Sequence, residues 1–221
     1  MSSAKEQRLH HLTKAAKLGE VDRVYQLLKN WLIECELAPG EALSEIDLAA
    51  RCETSRTPIR EACNRLAQDR WLTRIPHKGY LVAPISVREL LQVYEYRKLL
   101  ECFGAEKAAQ TATPGQLEEL GQIIAVESAA NADFKDILAA SDAFHLKIAQ
   151  MAGNQRVLDQ LKLTLELVRR MDALSGRKDH TWVPHADVCI AIRSHMPVEA
   201  RHAMATHIDH ARDRILRLLA S

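Results

Sequence analysis

The sequence predicts a mainly α protein in two parts: a compact N-terminal unit of three helices and a strand pair, then an antiparallel bundle of about six helices. Three observations carry this. Apolar residues recur at helical spacing through almost all of the 221 residues. Strand-like alternation is confined to "WLTRIPHKGYLVAPI" and does not reappear after Ile85. Proline and glycine fall between the helical stretches, at Pro39-Gly40, Pro114-Gly115, Gly153 and Gly176. The boundary this implies divides the chain into 1–85 and 86–221, with residues 1–17 polar and read as a loose N-terminal extension.

From Glu20, "VDRVYQLLKNWLIECEL" sets Val21, Val24, Leu27, Leu28, Trp31 and Leu32 on one helical face, and "APGEAL" ends that helix in a turn. Ser44 reads as the N-cap of a short helix, "EIDLAARC", with Asp47 completing a weak capping box. After the turn at "ETS", Ser55 is an N-cap candidate for a third helix, with Pro58 in its first turn, where a missing N–H is harmless. Its apolar stripe is Ile59, Ala62, Cys63 and Leu66. Two short strands joined by a Gly-containing turn follow. Helix, helix–turn–helix, hairpin is the order of a winged helix-turn-helix.

The composition, 47% hydrophobic and 27% charged, is that of an ordinary soluble globular protein. No apolar run is long enough for a membrane span, and the N-terminus has no apolar signal region, so the expected compartment is the cytoplasm, with no membrane partner. The five cysteines are scattered, odd in number and without a CxxC pair, which points to reduced, buried thiols rather than a thiol catalyst or a zinc–thiolate site. Net charge is only +1, yet Arg56, Arg60, Arg65, Arg70, Arg74 and Lys78 crowd into Glu53–Pro84 against Glu53, Glu61 and Asp69. On charge alone a solvated helix face explains this as well as a nucleic-acid surface does. Topology tips the balance. Ser55, Arg56, Thr57 and Arg60 occupy the first turn of the third helix, the end that enters a major groove. An arginine there can bridge guanine O6 and N7, while Ser55 and Thr57 suit phosphate oxygens. His77, Lys78 and Gly79 form the hairpin tip, placed to reach the minor groove or the backbone.

The bundle is read as helices in "SVRELLQVYEYRKLLECFGAEKAAQTA", "GQLEELGQIIAVESAAN", "DFKDILAASDAFHLKIAQMAG", "NQRVLDQLKLTLELVRRMDALSG", "TWVPHADVCIAIRSH" and "VEARHAMATHIDHARDRILRLLA". Ten histidines invite a metal-site reading. His145 lies mid-helix, His185 begins the fifth helix, and counting puts His207 on the inward side with Ala200, Ala203 and Met204. Imidazoles from three helices can hold a divalent ion, although by counting alone satisfied or surface histidines are the commoner outcome. His195, His202 and His210 are expected at the surface.

"LAPGEALSEIDLAARCETSRTPIREACNRLAQDRWLTRIPHKGYLV" resembles the DNA-binding domain of the GntR family of bacterial transcription regulators, through its "PG" turn, "LSE..LA", "SRTPIREA..RL" and wing glycine. Asp69-Arg70-Trp71 departs from the family, which commonly has a glycine in that turn. "YEYRKLLECFGAEKAA", "FHLKIAQMAGN" and "HADVCIAIRSHMPVEARHAMATHI" are similar to the FCD effector-binding domain of the FadR branch, and six helices rather than seven suggest its VanR-like subgroup. The resemblance implies a homodimer that binds a near-palindromic operator in double-stranded DNA, and a repressor rather than an activator. It implies a divalent metal, zinc or alternatively nickel, held by His145, His185 and His207. It further implies a small carboxylic acid effector met by Arg97, with Asn154 on a recurring family position where a helix N-cap for "QRVLDQL" is the favoured reading over ligand contact. Arg97 can also pair with Glu101 at i+4.

The family's carboxylate ligand lies four residues before the first histidine, where this chain has Ser141. Asp142 is the nearest alternative, rotated about 100° around the helix. No catalytic residues are assigned. A metal-dependent hydrolase using the same three histidines is the rival from another class, with Asp142 as its only candidate general base. A purely structural metal site is the third reading. The effector, the operator and the regulated genes have no signature in the sequence.

Overall fold

A computed structural model of the chain describes residues 19–76, 78–127, 129, 134–174 and 184–220. The sequence expectations for residues 1–17 and for His77 lie outside the described residues. The chain divides into two compact units, Met1–Ile85 and Ser86–Ser221, each treated by itself below.

In the first unit, helix α1 (Glu20–Ile33) buries Val24, Tyr25, Leu28 and Leu32, the stripe that its 3.6-residue period requires. Strand β1 (Ala42–Leu43) leads into α2 (Glu45–Arg51). Ser44 caps α2 as expected: its hydroxyl accepts from the amides of Ile46 at 3.1 Å and Asp47 at 3.5 Å. Helix α3 (Arg56–Gln68) buries Ile59, Ala62, Cys63 and Leu66 completely. Ser55 holds the N-cap position of α3, but its side chain makes no capping bond.

Strands β2 (Leu72–Ile75) and β3 (Gly79–Val82) form the hairpin, and the sheet order is β1-β3-β2, antiparallel throughout. Strand β1 is an addition to the sequence reading, which placed only a turn there. Its pairing explains Gly79. That residue has φ +101°, and a Cβ there would lie 2.3 Å from the Leu43 carbonyl oxygen. Glycine at the wing is thus demanded by sheet packing. The departure at Asp69-Arg70-Trp71 leaves the turn intact. Arg70 adopts φ +64°, a left-handed conformation, while the Arg70 amide bonds the Ala67 carbonyl and the Trp71 amide bonds the Leu66 carbonyl, closing α3.

The second unit is all helical among the described residues: α4 (Val87–Thr111), α5 (Pro114–Glu127), α6 (Phe134–Met151), α7 (Gln155–Leu174), α8 (Ala186–Arg193) and α9 (Pro197–Ala220). Helix α4 is the central element. It packs against α6, α7, α8 and α9. Its buried positions, Leu90, Tyr94, Arg97, Glu101, Ala105 and Ala108, step by three and four residues. Two of those six are charged, and they mark where the site is built.

Candidate metal centre and basic surface

His145 comes from the middle of α6, His185 from the N-cap of α8 and His207 from α9. They are 1%, 0% and 6% exposed. Each offers one ring nitrogen, and those atoms all lie within 4.8 Å of one another. The Nε2 atoms of His145 and His185 are 3.0 Å apart. Phe144 packs its ring 4.4 Å from that of His185, closing the apolar side.

Carboxylates orient two of the rings from behind. Glu101 sits against His145 Nδ1, and Glu127, at the end of α5, lies 2.7 Å from His185 Nδ1. A carboxylate at Nδ1 holds the proton there and turns the lone pair of Nε2 inward, the orientation a metal ligand needs. Arg97 completes the layer. Its Nε donates to Glu101 Oε1 at 2.5 Å, and its Nη2 donates to His145 Nε2 at 2.7 Å.

The electrostatics favour neutral imidazoles. Burial, reinforced by Arg97 and His185, pushes His145 down to about 4, despite the opposing pull of Glu101. Burial, then His185, His145 and Arg97, pushes His207 well below the usual histidine range. Burial alone would raise Glu101, but Arg97 and His145 hold it down at about 2. The donor set is therefore three converging nitrogens, with His145 and His207 held neutral and carboxylates behind two of the rings. That set fits a divalent ion such as zinc.

A cavity of about 50 Å³ adjoins Arg97, His145 and His207. Ser141 lines it. Asp142 also borders it but pairs with Arg169 at 2.6 Å and is not among the convergent ligand atoms. Its carboxylate is turned to the guanidinium on α7 and not to the three imidazoles. Arg214 pairs with Asp172 at 2.5 Å on the same wall, which buried Tyr94 also lines. Asn154 is exposed, lies outside the cavity wall and takes the capping role favoured for it in the sequence, accepting from the amides of Arg156 at 3.1 Å and Val157 at 3.3 Å at the start of α7. His195, His202 and His210 are exposed. The thiols of Cys52, Cys63, Cys102 and Cys189 are buried, and burial pushes Cys63 up to about 12.

The basic surface lies on the first unit. Arg56 and Arg60 are 57% and 55% exposed, and both reach Glu45 at the start of α2, at 3.2 Å and 2.9 Å. Ser55 and Thr57 are exposed beside them. A concavity bounded by Glu45, Arg56, Arg60, Arg74, Lys78 and Tyr80 runs from α3 to the hairpin. Arg65 is not part of it: it pairs with Asp22 and stacks over Tyr25. Sequence reasoning missed Glu45, Glu127, Arg169, Asp172 and Arg214. Only Glu101, four residues after Arg97, had a local signal.

No helix among the described residues is long and apolar enough to cross a membrane. Residues 20–82 match the profile of the bacterial regulatory proteins of the gntR family, and residues 92–210 match the FCD domain. The chain is 29% identical over 210 residues to the HTH-type transcriptional repressor RspR of Escherichia coli, covering 89% of each protein. It is 28% identical over 185 residues to the Nta operon transcriptional regulator of Aminobacter aminovorans, covering 82% of this chain and 87% of that one. Among solved structures, Escherichia coli McbR/YncC superposes with a TM-score of 0.73 at 20% identity, over 90% of this chain and 98% of that one. A GntR-type regulator from Rhodococcus sp. RHA1 gives 0.71 at 22% identity, over 89% and 97%.

Proposed function

The chain belongs to the GntR family of bacterial regulatory proteins and carries an FCD domain, and from that premise we propose that it is a repressor relieved or tightened by a small carboxylic acid bound beside a divalent metal. Members of this family are DNA-binding transcriptional regulators, and FCD domains bind small-molecule effectors. Repression is favoured by the names of relatives, RspR of Escherichia coli and a probable D-xylose utilization operon repressor of Paenarthrobacter nicotinovorans. The families matched are those of regulators rather than enzymes, so the hydrolase reading has no support beyond the histidines.

The observation that carries the metal and acid is the burial of three convergent imidazoles beside a buried guanidinium. His145, His185 and His207 would hold the ion, and Glu101 and Glu127 fix the faces they present. A bound ion supplies a concentrated positive charge at the cavity wall. Arg97 supplies a planar fork for a carboxylate. Desolvation strengthens both attractions, because the wall also carries Leu165, Val168 and Ala211. The cavity of about 50 Å³ holds little more than one or two waters. A space that small favours a compact anion.

DNA is met by the first turn of α3 and by Lys78, within a homodimer that places two such units on two half-sites in the cytoplasm. The test has two parts. Elemental analysis of protein purified without chelator or histidine tag is expected to find zinc, or else nickel, near one ion per chain. Fluorescence anisotropy with an operator duplex should then show a change in affinity with a small acid. Metal with no response to any acid would leave the structural-site reading standing instead.

A further inference from the structure

Glu45 has no role in the reading above, yet it is the most engaged acid on the basic surface. It opens α2, and its side chain is only 16% exposed although its two partners are more than half exposed. Arg60 meets it side-on: Nε donates to Oε1 at 3.0 Å and Nη2 to Oε2 at 2.9 Å. Arg56 adds a single bond, from Nη2 to Oε2 at 3.2 Å. A guanidinium has five N–H groups, and a side-on fork uses the Nε hydrogen and one Nη2 hydrogen. The end-on edge, one hydrogen on each terminal nitrogen, stays free. That edge matches the O6 and N7 acceptors of guanine in the major groove.

We propose that Glu45 is a positioning and specificity-determining residue for DNA reading, holding Arg60 side-on so that its end-on edge is presented to a guanine. This rests on the reading that α3 meets the bases. The surrounding charges divide accordingly. Arg74 and Lys78, on the hairpin side of the same concavity, have no ion pair among the described residues. They are free to follow phosphates, which lie at the same spacing on any sequence. Arg56 and Arg60 share a carboxylate whose negative charge repels a phosphate brought to the same guanidinium. The O6 and N7 edge of guanine carries no net charge and meets the free edge of Arg60 without that repulsion. Glu45 therefore taxes non-specific contact while leaving the specific one intact.

Glu45→Gln is the test, since glutamine keeps the size but cannot accept the charged fork. The probe is a randomised pool of duplex oligonucleotides. The parent should select sites with a fixed guanine in each half-site, and Glu45→Gln should relax that position by about tenfold. The variant should also bind non-cognate duplex more tightly, with a steeper salt dependence by about one to two units as the freed arginines neutralise phosphates. Far-UV circular dichroism checks the fold. In an Arg60→Lys background, which keeps charge but loses the fork, Glu45→Gln should add little at that guanine. If Arg60→Ala weakens selection but Glu45→Gln keeps the same guanine preference, the inference is overturned and Glu45 is a folding ion pair. If Arg60→Ala changes nothing, the reading of α3 fails with it.

Discussion

At the residue scale, Arg70 tests how the turn before the hairpin tolerates a departure from glycine. Its φ of +64° puts a Cβ-bearing residue in the left-handed region. That conformation costs a non-glycine residue roughly 1–2 kcal/mol, and glycine gives back about 0.5–1 kcal/mol through its looser unfolded state. Arg70→Gly should therefore stabilise the N-terminal unit by about 0.5–1 kcal/mol, read as a higher denaturant midpoint. A lower midpoint would mean that the Arg70 side chain contributes more than its backbone costs. Arg97 is the other decisive residue. Arg97→Met should abolish the acid's effect on DNA binding while the protein still retains metal on dialysis. Loss of metal as well would make Arg97 a support for His145 rather than the carboxylate partner.

The same scale shows where the site was hidden. His145, His185 and His207 stand out as a residue type, and Arg97 and Glu101 as an i, i+4 pair. Glu127 contacts His185 across 58 positions of sequence. Arg169 captures Asp142 from the next helix. Nothing local announces either contact, since only the packing of α5 and α7 creates them. Likewise a count of cations found the basic patch, but Glu45, which holds two of them, sits in the preceding helix.

At the element scale, the helices were legible because each buries one face and shows it as a 3.6-residue period, with breaks at Gly and Pro. Strand β1 was not, because two residues cannot show a period and its partner, β3, is distant in sequence. Where capping decides an element, the cost is predictable. Ser44→Ala should destabilise α2 by about 1 kcal/mol, because two amides lose their acceptor. The layer where α4, α6 and α9 meet is pH-sensitive in a stated direction. In metal-free protein, His145 takes up its proton near pH 6.5 when unfolded but only at about 4 when folded. The unfolded chain thus binds more protons across that window, and stability falls as pH falls through it. His207 acts in the same sense, and Glu101, held down at about 2, extends the loss below its ordinary 4.5. The melting temperature of chelated protein should decline from about pH 6.5 to about pH 4, and zinc should resist that decline because it competes with protons for the same nitrogens. A flat profile would mean that the rings are not held neutral.

At the scale of the whole molecule, regulation requires that the acid site and the DNA surface bias one another. Coupling between binding sites is reciprocal: a factor by which the acid changes DNA affinity must equal the factor by which DNA changes acid affinity. The two ends report independently, which makes the claim exacting. Calorimetric titration of the acid, with and without operator duplex, should give an affinity ratio equal to that from anisotropy titration of DNA, with and without acid. Allosteric couplings typically lie at about 1–3 kcal/mol, or roughly 5- to 150-fold. His185→Ala, which removes a nitrogen from the buried cluster and an anchor for Glu127, should bring both ratios to one while DNA binding without acid persists. Sedimentation should show a dimer on the duplex, because a single unit spans too few base pairs to read an operator tightly. If both ratios are already one in the parent protein, the acid does not couple to DNA binding at all. If they agree and survive His185→Ala, the imidazoles are wall polar groups and Arg97 alone carries the anion.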